Sequence, residues 1–327
     1  MKDDDRYARA KAFFLGPKAE NADSIERLLI ECFRDHCFWR RNFHPEDAAL
    51  VGEAERQQAP FLESSADLRH YLNQLMALLK RGSPNYHPRY LGHMHTDLMI
   101  AGILGQFATV FYTQNNVTPE ASPVTSRLEL EVIERIAEMI GFPSTGPLPC
   151  RGHLCSGGTV ANIEAIWAAR NIRHTPISLA LGIRHELATG SKEPRKKQVL
   201  EAFTVAYLGK QRDLLSLNTA ELLNLPIATI LALRDDLARS LQGNEKPGGQ
   251  AIAEAELLLR RSSPEQLGSP EVDRRLIAAG LRPLSDYPWE IYVSTTKHYS
   301  FEKIADVLGL GRNALRLIEI RDDFSLD

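Results

Sequence analysis

The chain has 327 residues, 43% of them hydrophobic and 25% charged, with a formal net charge of −3. That length holds one large domain or two smaller ones around a sizeable core. The charge balance gives no electrostatic case for nucleic acid, and no apolar run approaches the roughly 20 residues that span a bilayer. The N-terminus, "MKDDDRYARAKAFF", is acidic and lacks an apolar signal core, so the chain reads as cytoplasmic.

Residues 1–82 read as an N-terminal helical segment, a flap or dimerisation element, and 83–327 as the main domain. "ADSIERLLIECFRDHCFW" predicts a helix with Asp23 or Ser24 as N-cap and Ile25, Leu28, Leu29, Cys32 and Phe33 at helical spacing. "SADLRHYLNQLMALLKRG" predicts another, stopping at Gly82. His36 between Cys32 and Cys37 invites a metal reading. Both cysteine pairs, Cys32/Cys37 and Cys150/Cys155, have four intervening residues. Zinc ribbons and redox motifs usually have about two, so reduced, partly buried thiols and no metal are expected.

"SPNYHPRYLGHMHTD", residues 83–97, is a loop by its Pro, Gly and Asn content and carries His87, His93 and His95. "LMIAGILGQFATVFY" predicts a buried helix, and "TQNNVTPEASPVTS" a second loop. "RLELEVIERIAEMIGF" predicts an amphipathic helix with a Leu128, Val132, Ile136, Ile140 stripe, ended by Gly141. A Pro/Gly linker at 143–151 leads into "HLCSGGTVANIEAIWAARN", a short strand, a glycine turn and a helix. Residues 174–288 are mostly helical, with breaks at "SKEPRKK" and "GNEKPGG". "EIYVSTTKHYSFEKIADVLGLG" gives a strand, a loop and a helix ending at Gly309 or Gly311, and "ALRLIEIRDD" a further strand. The alternation predicts an α/β fold with a largely parallel sheet.

Two stretches carry chemistry. Gly157 and Gly158 lack a Cβ where a helix begins, so backbone N–H groups at its positive end can approach a ligand closely. Ser156 and Thr159 add hydroxyls, and together they suit a phosphate. Neither a P-loop Lys-Ser/Thr pair nor a G-x-G-x-x-G fingerprint is present. The plain structural alternative is a tight turn with an N-cap. His298 in "STTKHYS" follows a strand, where parallel sheets bind ligands, although a lone histidine is often structural. Both at one sheet edge suit a phosphorylated aromatic ring such as pyridoxal phosphate.

"HPRYLGHM", "NNVTPEASPVTSRLELEV", "GHLCSGGTVANIEAIWAARN" and "KHYSFEKIADVLGLG" occur in an order that resembles the N-terminal part of the group II pyridoxal-phosphate-dependent amino acid decarboxylases. The resemblance covers about residues 85–173 and 289–327, and the intervening segment is similar to the larger bacterial members, tyrosine decarboxylases among them. It implies an incomplete aspartate-aminotransferase-type (fold type I) large domain. It also implies that Ser156, Gly157, Gly158 and Thr159 hold the phosphate of pyridoxal 5'-phosphate. His298 would stack on its ring as the catalytic histidine, with Tyr299 and Ser300 in support. Thr125 and Ser126 would lie near substrate or phosphate, and Tyr90 and His93 at the substrate mouth. His87, His95 and His153 are left as structural residues.

The same resemblance implies decarboxylation of an L-amino acid, an aromatic one by subgroup, to an amine and CO2. That reaction needs a Schiff-base lysine and an aspartate on the pyridine nitrogen. In the family both follow the "KHYS" helix and the next strand, the lysine after a histidine. This chain runs to "IEIRDDFSLD" with no His-Lys dipeptide, and Lys297 and Lys303 stand outside the family position. The expectation is a chain inactive alone: a fragment, or one part of a split enzyme, forming a homodimer or completed by a C-terminal chain that carries the lysine. The alternative is a catalytically silent binding or regulatory subunit.

Overall fold

A computed structural model describes residues 3–146, 149–189, 193–323 and 325–326. Parts of the linker expected at 143–151 and of the break expected at 191–197 therefore lie outside the described residues. The chain divides into two compact units, 1–153 and 154–327. Among the described residues no helix is long and apolar enough to cross a membrane.

The N-terminal unit holds α1 (Asp3–Lys11), α2 (Ala22–Phe43), α3 (Glu53–Arg56), α4 (Ala59–Leu79), α5 (Ile100–Val110) and α6 (Thr125–Ile140). The N-cap of α2 is Asn21, not Asp23 or Ser24. Its amide donates to the carbonyls of Lys11 (3.1 Å) and Phe14 (2.7 Å), closing the preceding turn rather than capping the helix. α2 packs on α5 through rings. His36, buried, stacks on Phe111 with centroids 5.0 Å apart and meets Tyr112 edge-on at 5.0 Å. Gly141 ends α6 with φ 86° in the left-handed region.

Two burial expectations are corrected here. α5 buries only Ile100, and the Leu128, Val132, Ile136, Ile140 stripe of α6 is exposed. The reason is a shortage of covering surface. α4, the longest apolar candidate to cover them, buries none of its own residues.

The C-terminal unit holds α7 (Gly158–Thr189), α8 (Pro194–Glu201), α9 (Thr219–Leu223), α10 (Ile227–Gln242), α11 (Gly249–Arg260), α12 (Pro264–Leu267), α13 (Ser269–Ala278) and α14 (Ser300–Val307). Its core surrounds the second half of α7, where Ile177, Leu179 and Ile183 are fully buried against Leu233, Leu258 and Leu276. Each such side chain contributes about 1.5–3 kcal/mol of burial. α7 and α11 approach so closely that a Cβ on Gly182 would stand 2.0 Å from the Leu258 carbonyl oxygen.

Helices dominate, and among the described residues four short strands make this a mixed α and β protein. β1 (Thr204–Tyr207) and β2 (Lys210–Asp213) form an antiparallel hairpin inside the stretch read as helical. β3 (Ile291–Ser294) pairs in parallel with β4 (Leu315–Ile318), Ile291 opposite Leu315, with α14 as the crossover. These are the strand, loop, helix and strand expected from 290 onward. The short strand expected before the glycine turn has no ladder partner among the described residues.

Candidate functional site

Ser156, Gly157, Gly158 and Thr159 stand at the start of α7, whose first bond back to the preceding turn runs from Ala161 N–H to the Gly157 carbonyl at 3.1 Å. By helix geometry the amides ahead of Ala161 have no partner within the helix, and they carry the positive end of its dipole. The glycines are not needed for the backbone, because neither has a positive φ. They are not needed for packing, because a Cβ on either would meet nothing within 4 Å. The positions their side chains would occupy are open space.

His298 stands two residues before α14 and is exposed. Its Nδ1 accepts a hydrogen bond from the Ser300 amide at 3.2 Å. The proton of the neutral ring therefore sits on Nε2, which the bond leaves free. The ring faces Tyr299 with centroids 4.1 Å apart. Lys297 is held by Glu302 at 2.9 Å, an ion pair that keeps the Glu302 carboxyl below its ordinary range through hydrogen bond and charge. Lys303 lies 4.8 Å from the Tyr299 ring centre.

The structure brings the glycine turn and His298 together. Asn162 Nδ2, on the first turns of α7, donates to Ser300 Oγ at 3.2 Å, and Arg170 donates to the Leu308 carbonyl at 2.9 Å. The two bonds lie eight residues apart along both segments, from the first residue of α14 to the one after its last, so α7 and α14 run parallel with their N-termini at one end. The sequence reading missed Asn162 and Arg170. A signal existed for Asn162: four residues after Gly158, it lies on the same helix face as the turn.

The other expected residues belong to the N-terminal unit. Tyr90 Oη and His93 Nδ1 are 3.2 Å apart, and His93 has a strained φ of 56°. Tyr90 lines a cavity of about 790 Å³ with Phe14, Tyr86, His87, His95 and Asp97. His87 also has a local structural role, its Nδ1 accepting from the Arg89 amide at 3.1 Å. Thr125 and Ser126 open α6 within a knot of polar side chains. The buried Ser122 hydroxyl lies 3.0 Å from Gln114 Oε1 and 2.9 Å from Asn116 Oδ1, and Thr125 closes on both Ser122 and Asn116. Ser126 Oγ is buried with no hydrogen-bond partner among the described residues.

These features fit the phosphate and ring ends of pyridoxal phosphate. The open amide cradle suits a dianion, and the exposed imidazole just ahead of the parallel neighbouring helix suits a flat ring. They do not fit its amine anchor, since Lys297 is committed to Glu302 and Lys303 to the Tyr299 ring.

No family model matches the chain. It is 26% identical to an L-tyrosine decarboxylase of Levilactobacillus brevis over 318 residues, 97% of this chain and 41% of that one. The figures for an L-tyrosine decarboxylase of Enterococcus faecalis are the same. One of Enterococcus faecium is 25% identical over 331 residues, 100% of this chain and 43% of that one. The chain thus spans about two-fifths of the length of the curated relatives it matches. Along essentially its whole length it is similar to a stretch of the L-tyrosine decarboxylases, and the resemblance read from its glycine turn and its Lys-His-Tyr-Ser loop stands.

Proposed function

We propose that this chain supplies the phosphate cradle and the ring-facing imidazole of a pyridoxal-phosphate-dependent L-amino acid decarboxylase with a fold type I large domain. Its substrate would be an aromatic amino acid, because the relatives are named for L-tyrosine. The observation that carries the reading is the pair Gly157–Gly158, which neither backbone nor packing requires, tied through Asn162 and Ser300 to His298.

When bound, pyridoxal phosphate supplies the electron sink that lets the bond from Cα to the carboxylate break. The chain's own part is binding and orientation. Amides of Gly157, Gly158 and Thr159 hold the phosphate with help from the α7 dipole, and the hydroxyls of Ser156 and Thr159 complete its shell. His298 lies against the ring, held by Ser300, with Nε2 as the nitrogen free to hold or move a proton. By the same resemblance Tyr90 and His93 would offer a hydroxyl and an imidazole at the substrate mouth, and Thr125 and Ser126 would offer hydroxyls near substrate or phosphate. The lysine and the aspartate come from residues other than these 327, in the same polypeptide or in a complementing chain.

The test is CO2 release from L-tyrosine. This chain alone is expected to release none, and more cofactor is not expected to rescue it. Activity is expected when a lysine-bearing segment is added, taken from the part of an L-tyrosine decarboxylase that follows the matched stretch. In that assembly His298→Ala is expected to lose well beyond tenfold in turnover. Stacking alone accounts for about fivefold, roughly 1 kcal/mol, and proton transfer for the rest. Turnover by the 327-residue chain alone, or full activity of His298→Ala, would overturn the proposal.

A second reading, a silent binding or regulatory subunit, is favoured by one observation: the chain has no His-Lys dipeptide. It predicts cofactor uptake with no activity under complementation.

A further inference from the structure

We propose that Asn162 is a positioning residue for the His298 imidazole, acting through Ser300. The inference deepens the proposed function and rests on it for what the imidazole does, though not for how it is held.

His298 and Tyr299 are both exposed, so packing does not fix the ring. What fixes it is the hydrogen bond from the Ser300 amide to Nδ1. Ser300 is fully buried, and its hydroxyl takes the hydrogen bond of Asn162, 138 positions earlier in the chain. Asn162 lies one helical turn beyond Gly158, so a single contact couples the end of α14 that orients the imidazole to the end of α7 that carries the open amides. The Arg170 bond to the Leu308 carbonyl, two turns further along, prevents α14 from sliding or swivelling about that contact. Among the described residues α14 has no N-cap side-chain bond that would do the same locally. The positioning therefore depends on the cross-helix strut.

The test uses the full 327-residue chain with 15N-labelled histidine, the His298 signals being identified by their loss in His298→Gln. In the wild type at alkaline pH, Nδ1 is expected at the shift of an unprotonated acceptor and Nε2 at that of a protonated nitrogen. In Asn162→Ala and in Ser300→Ala the two shifts are expected to move toward each other as the tautomers mix. Pyridoxal phosphate affinity, read by quenching of tryptophan fluorescence, is expected to fall about fivefold in each, the size of one hydrogen bond. The double variant is expected to lose no more than either single one, because both remove the same contact. Ser300→Thr, which keeps the hydroxyl, is expected to restore both readouts. Should Ser300→Ala fail to fold, the nitrogen shifts of Asn162→Ala decide alone, since Asn162 is only half-buried. Unmoved His298 shifts in variants that still melt cooperatively, or additive losses of affinity, would overturn the strut. If the wild-type chain takes up no pyridoxal phosphate, the functional reading fails, and the strut still stands or falls on the nitrogen shifts.

Discussion

Gly158 and Gly182 are the same residue type in the same helix, yet a methyl group added to each meets opposite surroundings. At Gly182 it runs into the Leu258 carbonyl oxygen at 2.0 Å, backbone that cannot turn aside. Gly182→Ala is expected to cost about 3 kcal/mol, and to lower Tm in calorimetry by about 5 °C or more. At Gly158 the new side chain meets nothing. Gly158→Val is expected to keep Tm within about 2 °C and to lose phosphate-ester binding. Equal stability effects at the two glycines would remove the reason for reading the turn as a cradle. His174 offers a second residue-scale test. It is buried against Trp289, its Nδ1 has no hydrogen-bond partner among the described residues, and its pKa is pushed down to about 4. Burial is the main cause and the Arg170 charge the next, while Glu265 and Asp273 pull the other way. Above its ordinary value of 6.5 the ring is neutral whether folded or unfolded, and the shift has no effect. Between 6.5 and about 4 the unfolded chain takes up a proton that the folded chain refuses, so stability falls as pH falls. The loss reaches about 3 kcal/mol near the lower end. Urea denaturation at neutral and mildly acid pH is expected to show a smaller decline in His174→Gln than in the wild type.

At the scale of elements, short-range patterns were the most legible. The α2, α4 and α6 helices were readable from apolar spacing, the start of α7 from its glycine turn, and the β3, α14, β4 unit from its alternation. The hairpin was not. Its turn uses Leu208 at φ 48° and Gly209 at φ 75°, and a leucine in the left-handed region gives no turn signal in sequence. A feature that was legible and passed over is Asn218-Thr-Ala-Glu221. Asn218 Oδ1 accepts from the Glu221 amide at 3.0 Å and the Glu221 carboxylate accepts from the Asn218 amide at 2.9 Å, a capping box that starts α9. Asn218→Ala is expected to cost about 1 kcal/mol, measured by chemical denaturation. At the site, the glycine turn and His298 could be singled out from local chemistry. Their joining through Asn162 and Ser300 could not, because a contact across 138 positions leaves no periodic trace. The burial of α5 and of the α6 stripe was misjudged for a related reason. Amphipathicity shows which face wants covering and not whether anything covers it.

Across the whole chain, apolar burial is uneven. The large cluster of buried side chains belongs to the C-terminal unit. The N-terminal unit leaves Leu68, Tyr71, Leu72, Leu75 and Leu79 of α4 exposed, more apolar surface on one helix than a soluble monomer commonly shows. Limited proteolysis is expected to cut the N-terminal unit first and to leave a resistant fragment spanning α7 to α13. Uniform resistance along the chain would contradict this distribution of the core. The claim that most directs the reading of the molecule is that the start of α7 holds a phosphate ester with His298 beside it. The measurement that tests it most directly is a titration of the 15N-labelled chain with pyridoxal phosphate, followed by amide and imidazole shifts. Saturable shifts are expected at the amides of Gly157, Gly158 and Thr159 and at the His298 ring, all following one binding curve and absent in Gly158→Val. Binding that leaves those amides unmoved, or that persists unchanged in Gly158→Val, would contradict that claim.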